Sequence, residues 1–83
     1  MLKVYKVDPI EAIIKGIEKH AKTEGARAVT GIRFKIGEFT GIKEEDFRKR
    51  FKKYTRGTLL EKATLKVSYF LASRIEVVSF DLE

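Results

Sequence analysis

Cysteine, tryptophan, asparagine and glutamine are missing from this chain, and proline, histidine and methionine occur once each. Without cysteine there is neither a disulfide nor a thiolate zinc site, so a small domain must rely on well-patterned elements or on a partner that completes its core. The single histidine has no serine or cysteine at a recognisable spacing, so a nucleophilic triad finds no support and an enzyme is not expected. No apolar run approaches the length that crosses a bilayer, and the start lacks the apolar segment of a signal peptide. A soluble, cytoplasmic protein with no membrane partner is the expectation.

What is present is charge. Of 83 residues, 36% are charged, with 18 Lys and Arg against 12 Asp and Glu, a net +6. Abundant ions with few thermolabile residues suit a thermophile's protein. The positive excess favours acidic partners, nucleic acid first among them. The hydrophobic fraction of 43% allows a packed core, and the length allows one domain, residues 1–83.

"LKVYKV" reads as a short opening strand. Asp8 then stands as an N-cap, Pro9 at the first helical position and Glu11 where a capping box wants it. Ile10, Ile13, Ile14, Ile17 and Ala21 form one apolar stripe, and Gly25 is the C-cap signal. Ile32, Phe34 and Ile36 alternate with Arg33 and Lys35, as in a strand with one face buried. Gly37 and Gly41 bracket a turn.

The densest charge lies in "FRKRFKKYTRGT", residues 47–58. Basic residues threaded with aromatics can grip phosphates and stack bases. On a helix starting near Lys43, however, Phe47, Phe51 and Tyr54 fall within about 60° of one another, away from Arg48, Lys49, Lys52 and Lys53. That predicts buried aromatics and solvated cations. Glu44–Arg48, Glu45–Lys49 and Asp46–Arg50 have the spacing of helical ion pairs. Lys52, Lys53 and Arg56 have no such local reason.

The rest reads as two strands. Leu65, Val67 and Tyr69 alternate with Lys66 and Ser68. After "LAS" a second strand runs from Arg74, with Val78, Phe80 and Leu82 on one face. Ile75 and Val77 are out of that phase, which predicts a bulge near Val77. The short link between the runs reads as a β-hairpin. The order β-α-β-α-β-β predicts an α+β domain with two helices on one face of a mixed sheet.

Sites for chemistry are few. His20 has only Glu24, one turn on, as a neighbouring ligand, so a structural or surface role outweighs metal binding. "GEFTG" lacks the Lys-Ser/Thr that a phosphate loop requires, and no helix starts after "TRGT". Both read as turns.

The segments Gly37-Glu38-Phe39-Thr40-Gly41, Thr55-Arg56-Gly57-Thr58 and Glu61-Lys62-Ala63, with the helix before them and "IEVVSFDLE" after, carry a family likeness. Together they resemble the N-terminal domain of the HypA/HybF hydrogenase nickel-incorporation proteins. The resemblance implies a scaffold that binds a maturation GTPase, acts on metalloenzyme precursors and can dimerise, sometimes by exchanging strands. It also implies a Met-His-Glu start that binds nickel and a four-cysteine zinc loop between the last strands. Here the start is Met1-Leu2-Lys3, alignment by the helix puts Tyr5 and Lys6 at the His and Glu positions, and only Leu71-Ala72-Ser73-Arg74 stands where the zinc loop belongs. No metal ligand and no cofactor carries over.

Two readings follow. The first is a non-catalytic HypA-like protein-interaction module, tied to nickel-enzyme maturation, with a homodimer expected where sheet edges lie open. The second is a nucleic-acid-binding module whose surface is Lys49, Lys52, Lys53 and Arg56, joined by Arg33, Lys35 and Lys66 if the other sheet face is exposed. Buried helix aromatics weigh against the second, unless Tyr5 or Tyr69 offers a stacking platform.

Overall fold

The computed structural model of the chain describes residues 8–83, so the strand expected over residues 2–7 lies outside the described residues. Helix α1 spans Pro9–Thr23, and the Asp8 side chain accepts the Ile10 N–H at 2.9 Å. Glu11 does not close the capping box: its carboxylate lies 3.3 Å from Lys15 instead. Ile10, Ile14, Ile17 and Ala21 are buried as the stripe requires. At the far end Gly25 adopts φ +71°, and the N–H groups of Gly25 and Ala26 donate to the carbonyls of Lys22 and Ala21. That is a Schellman stop, which a left-handed glycine permits without strain.

Strand β1 covers Val29–Gly37, a one-turn 3-10 helix Glu38–Thr40, helix α2 Glu44–Thr55, strand β2 Thr64–Phe70 and strand β3 Ile75–Leu82. The fold is α+β, with both helices packed over one face of a mixed sheet. Ile32, Phe34 and Ile36 point into the core. The ring of Phe34 meets Phe47 edge-on at 4.9 Å and Phe51 at 5.9 Å, so the α2 aromatics are core residues.

The strand order corrects one expectation. The sheet runs β2-β1-β3, with β1 parallel to β2 and antiparallel to β3. β2 and β3 therefore flank β1 and form no hairpin. Helix α2 serves as the crossover that a parallel pair needs, and the link Leu71–Arg74 then steps over the end of β1. Four extended residues reach about 13 Å, more than the roughly 9.6 Å between strands that flank a third. The link is held by Gly37 N–H donating to Arg74 O at 2.8 Å and Phe39 N–H to Ala72 O at 3.0 Å. A Cβ at position 37 would lie 2.6 Å from the carbonyl carbon of Ala72 and 2.7 Å from Arg74 O. Only glycine lets the link pass.

The register of β3 shifts where a bulge was expected. Arg33 pairs Ser79 and Phe34 pairs Val77, which leaves Val78 as the extra residue. Ile75, Val77 and Phe80 pack against the core, while Val78 is 53% exposed. The expected shared face of Val78, Phe80 and Leu82 is thus broken by the bulge, which flips the alternation between Val77 and Phe80.

Asp8 joins the two helices. Its Oδ2 accepts the Tyr54 hydroxyl at 3.0 Å and lies 3.6 Å from Arg50 Nη1. Arg50 pairs with Asp8 across the helices and not with Asp46 on its own helix, as the spacing had suggested. Glu44–Arg48 at 3.0 Å and Glu45–Lys49 at 3.7 Å form as expected.

Gly37→Ala should destabilise the chain by about 1–3 kcal/mol, as overpacking against a backbone does. Gly16→Ala, mid-helix with nothing within 4 Å of the added Cβ, should stabilise it by about 0.5–1 kcal/mol. Denaturant unfolding of both variants reads the contrast, and equal shifts would refute the close approach. Asp8→Ala should cost about 1–2 kcal/mol through the lost cap and its partners. The Tyr54 phenol sits above its ordinary pKa of 10.0, chiefly because its hydroxyl donates to Asp8 and secondarily through burial. Since the folded value is the raised one, this contribution is full below pH 10 and fades as pH climbs past the folded midpoint. Ultraviolet titration should find the Tyr54 midpoint lower in Asp8→Ala than in the wild type.

Candidate functional site

Three surfaces carry residues with a functional reading: the outer face of α2, the sheet face away from the helices, and the crossover at the end of β1. On α2, Lys49, Lys52 and Lys53 fall within about 100° of one another, opposite the buried stripe, and Arg56 follows as the C-cap residue. All four are exposed. Lys49 is partly neutralised by Glu45, and Lys53 Nζ stands 5.7 Å from the Tyr54 ring centroid. Among the described residues no ion pair holds Lys52, Lys53 or Arg56.

The sheet's second face is not covered by any of the described residues. Arg33, Lys35 and Lys66 are exposed on it, with Arg33 bonded to Ser79 Oγ at 2.9 Å and 3.6 Å from Asp81. Tyr69 does not join them: its hydroxyl donates to Ile42 O at 3.0 Å, on the helix side. Tyr5 lies outside the described residues.

The two glycine-containing motifs are turns held by threonine. Thr40 Oγ1 donates to Gly37 O at 2.7 Å and accepts from Ile42 N–H at 3.2 Å, while Gly41 takes φ +73°. Thr58 repeats the device, donating to Thr55 O at 2.7 Å and accepting from Leu60 N–H at 3.1 Å. Both hydroxyls are thereby engaged by backbone. The second turn also buries Leu60 completely.

His20 is more than half exposed, 3.9 Å from Glu24 and edge-on to Phe80 at 5.5 Å. Among the described residues no group of three or more His, Cys, Asp or Glu could hold a metal ion. His20 and Glu24 therefore make no metal site by themselves. The chain has no cysteine, and the four residues Leu71–Arg74 link β2 directly to β3.

Sequence reasoning missed the crossover. Phe39 is 72% exposed and Leu71 75%, and the two segments are joined by the Phe39–Ala72 backbone bond. The available signal was that each apolar residue stands beside turn residues with no alternating partner. Among the described residues, no helix is long and apolar enough to cross a membrane.

Comparison with known proteins bears on this scaffold directly. A family model described as "Hydrogenase/urease nickel incorporation, metallochaperone, hypA" matches residues 6–74. The chain is 34% identical over 58 residues to the hydrogenase maturation factor HypA of Archaeoglobus fulgidus, covering 70% of this chain and 53% of that one. It is 39% identical over 57 residues to HypA of Xanthobacter autotrophicus, covering 69% and 50%. The chain thus spans about half the length of these curated relatives. Its fold is that of the nickel metallochaperone HypA from Helicobacter pylori in solution, with a TM-score of 0.74 at 14% identity over 88% of this chain and 92% of that one. The sandwich and its motif-bearing turns are those of a known lineage, and the chain belongs to the HypA family of hydrogenase and urease nickel-incorporation metallochaperones.

Proposed function

We propose that the chain is a single-domain, non-catalytic interaction module of nickel-enzyme maturation that works without nickel or zinc ligands of its own. Family membership supports the maturation role, and the observation that carries the interaction role is the exposed pair Phe39 and Leu71. Large apolar side chains left in water on a rigid turn are the kind of anchor that partner pockets fill. The occupant proposed is a cytoplasmic maturation GTPase or a metalloenzyme precursor. Zinc does not fit: the chain has no cysteine to supply its ligands.

Isothermal titration against the purified maturation GTPase and hydrogenase precursor of the source organism tests this. At least one should bind, and the double change Phe39→Ser with Leu71→Ser should weaken it by about 30-fold or more, the effect of losing two apolar anchors. Equilibrium dialysis of the chain alone should retain no nickel at micromolar metal. Failure of both proteins to bind, or nickel held by the chain alone, would overturn the proposal.

The nucleic-acid reading keeps one specific support, the cluster of Lys52, Lys53 and Arg56 beside Lys49 with no acid bound to three of its four members. On that reading log affinity for an oligonucleotide falls with log salt at a slope of roughly −3 to −4. Replacing Lys52, Lys53 and Arg56 by serine should flatten the slope by about 3. A slope unchanged in that variant would remove α2 from any nucleic-acid role.

A further inference from the structure

We infer that the sheet face turned away from the helices is a docking surface for an acidic segment of another protein. This stands apart from the crossover anchors and does not depend on the maturation role. Because β1 is the middle strand, Arg33 and Lys35 stand at the centre of the face. The parallel register sets Lys66 directly beside Arg33. Like charges opposite one another destabilise a sheet, and an anionic occupant removes that cost.

The acids of the face are already engaged. Asp81 lies 3.6 Å from Arg33, and Glu76, the register partner of Lys35, is held by Arg74 at 2.6 Å. Among the described residues Lys35 and Lys66 have no carboxylate within 4.0 Å. The two lysines, Arg33 and Ser68 border a shallow groove of about 210 Å³ whose fourth side is Val78. The β3 bulge is what turns that apolar residue outward among the cations.

This chemistry selects among occupants. A second copy is disfavoured, since the face and the whole chain, at +6, are both positive. Single-stranded nucleic acid is held by aromatic stacking as well as by phosphate contacts. Among the described residues the face offers only Phe70, which is half-buried with the Arg74 guanidinium 5.4 Å from its ring centroid. An acidic peptide with an apolar residue matches both the cations and Val78.

The test is an NMR titration of the isotope-labelled chain with a short peptide of Glu, Asp and Leu at low salt. Amide shifts should centre on Arg33, Lys35, Lys66 and Val78. Replacing Arg33, Lys35 and Lys66 together by serine should weaken binding by about tenfold or more, as three lost ion pairs would. Val78→Ser should weaken it to a smaller degree, and melting curves check that both variants stay folded. The inference is overturned by an absence of binding, by shifts centred on Lys49, Lys52 and Lys53, by unchanged affinity in the triple variant, or by tighter binding of an oligo-dT strand to the same face.

Discussion

The arrangement of this domain turns on the close passage of the Leu71–Arg74 link over Gly37. Two backbone hydrogen bonds hold the link there, and the absence of a side chain at position 37 makes room for it. Were the passage closed, β3 would have to fold back along β2, and β1 would become an edge. With the passage open, β1 is central and its hydrogen-bonding capacity is satisfied on both sides. The same step leaves Phe39 and Leu71 in water at one end of the strand and sets Arg33 and Lys35 in the middle of the uncovered face.

Charge is distributed with a comparable economy. Asp8 caps α1, accepts the Tyr54 hydroxyl and faces Arg50, so one carboxylate ties the start of one helix to the end of the other. It is only 19% exposed, and these partners offset the cost of its desolvation. Glu44 anchors Arg48, which also donates to Leu65 O at 3.3 Å and fastens α2 to β2. Asp8 and, through Arg48, Glu44 thus serve where elements are joined. The cations left over gather on the outer face of α2 and the open face of the sheet.

Much of this was legible from spacing alone. The stripe of α1, the alternation of β1 and the phase of Phe47, Phe51 and Tyr54 all report burial, because burial is what selects those periods. The break between Ile75–Val77 and Phe80 revealed the β3 bulge for the same reason. What periodicity does not carry is which strands are neighbours. A short link between two alternating runs usually makes a hairpin, and the contrary signal was one glycine far upstream at position 37. Arg50 went to Asp8 because a half-buried carboxylate on the facing helix makes a stronger partner than Asp46 in open water. Lys49, Lys52 and Lys53 are exposed, as the phase of α2 implies. The exposure of Phe39 and Leu71 was not legible, since an isolated apolar residue in a turn has no pattern to betray it.

The two proposed surfaces have different physical uses, and the fold sets them next to one another. Apolar anchors such as Phe39 and Leu71 supply affinity once they are desolvated, and they act mainly on dissociation. Cations on an open face act at longer range, steering an acidic partner and fixing its orientation before contact. β1 runs from the cation cluster to Gly37, where the crossover begins, so a partner laid along that strand meets both in sequence. On this proposal the scaffold selects what it holds through these surfaces. The proposed selection rests on a row of cations, Arg33 beside Asp81 and the lysines without a carboxylate partner among the described residues, that ends in two apolar side chains.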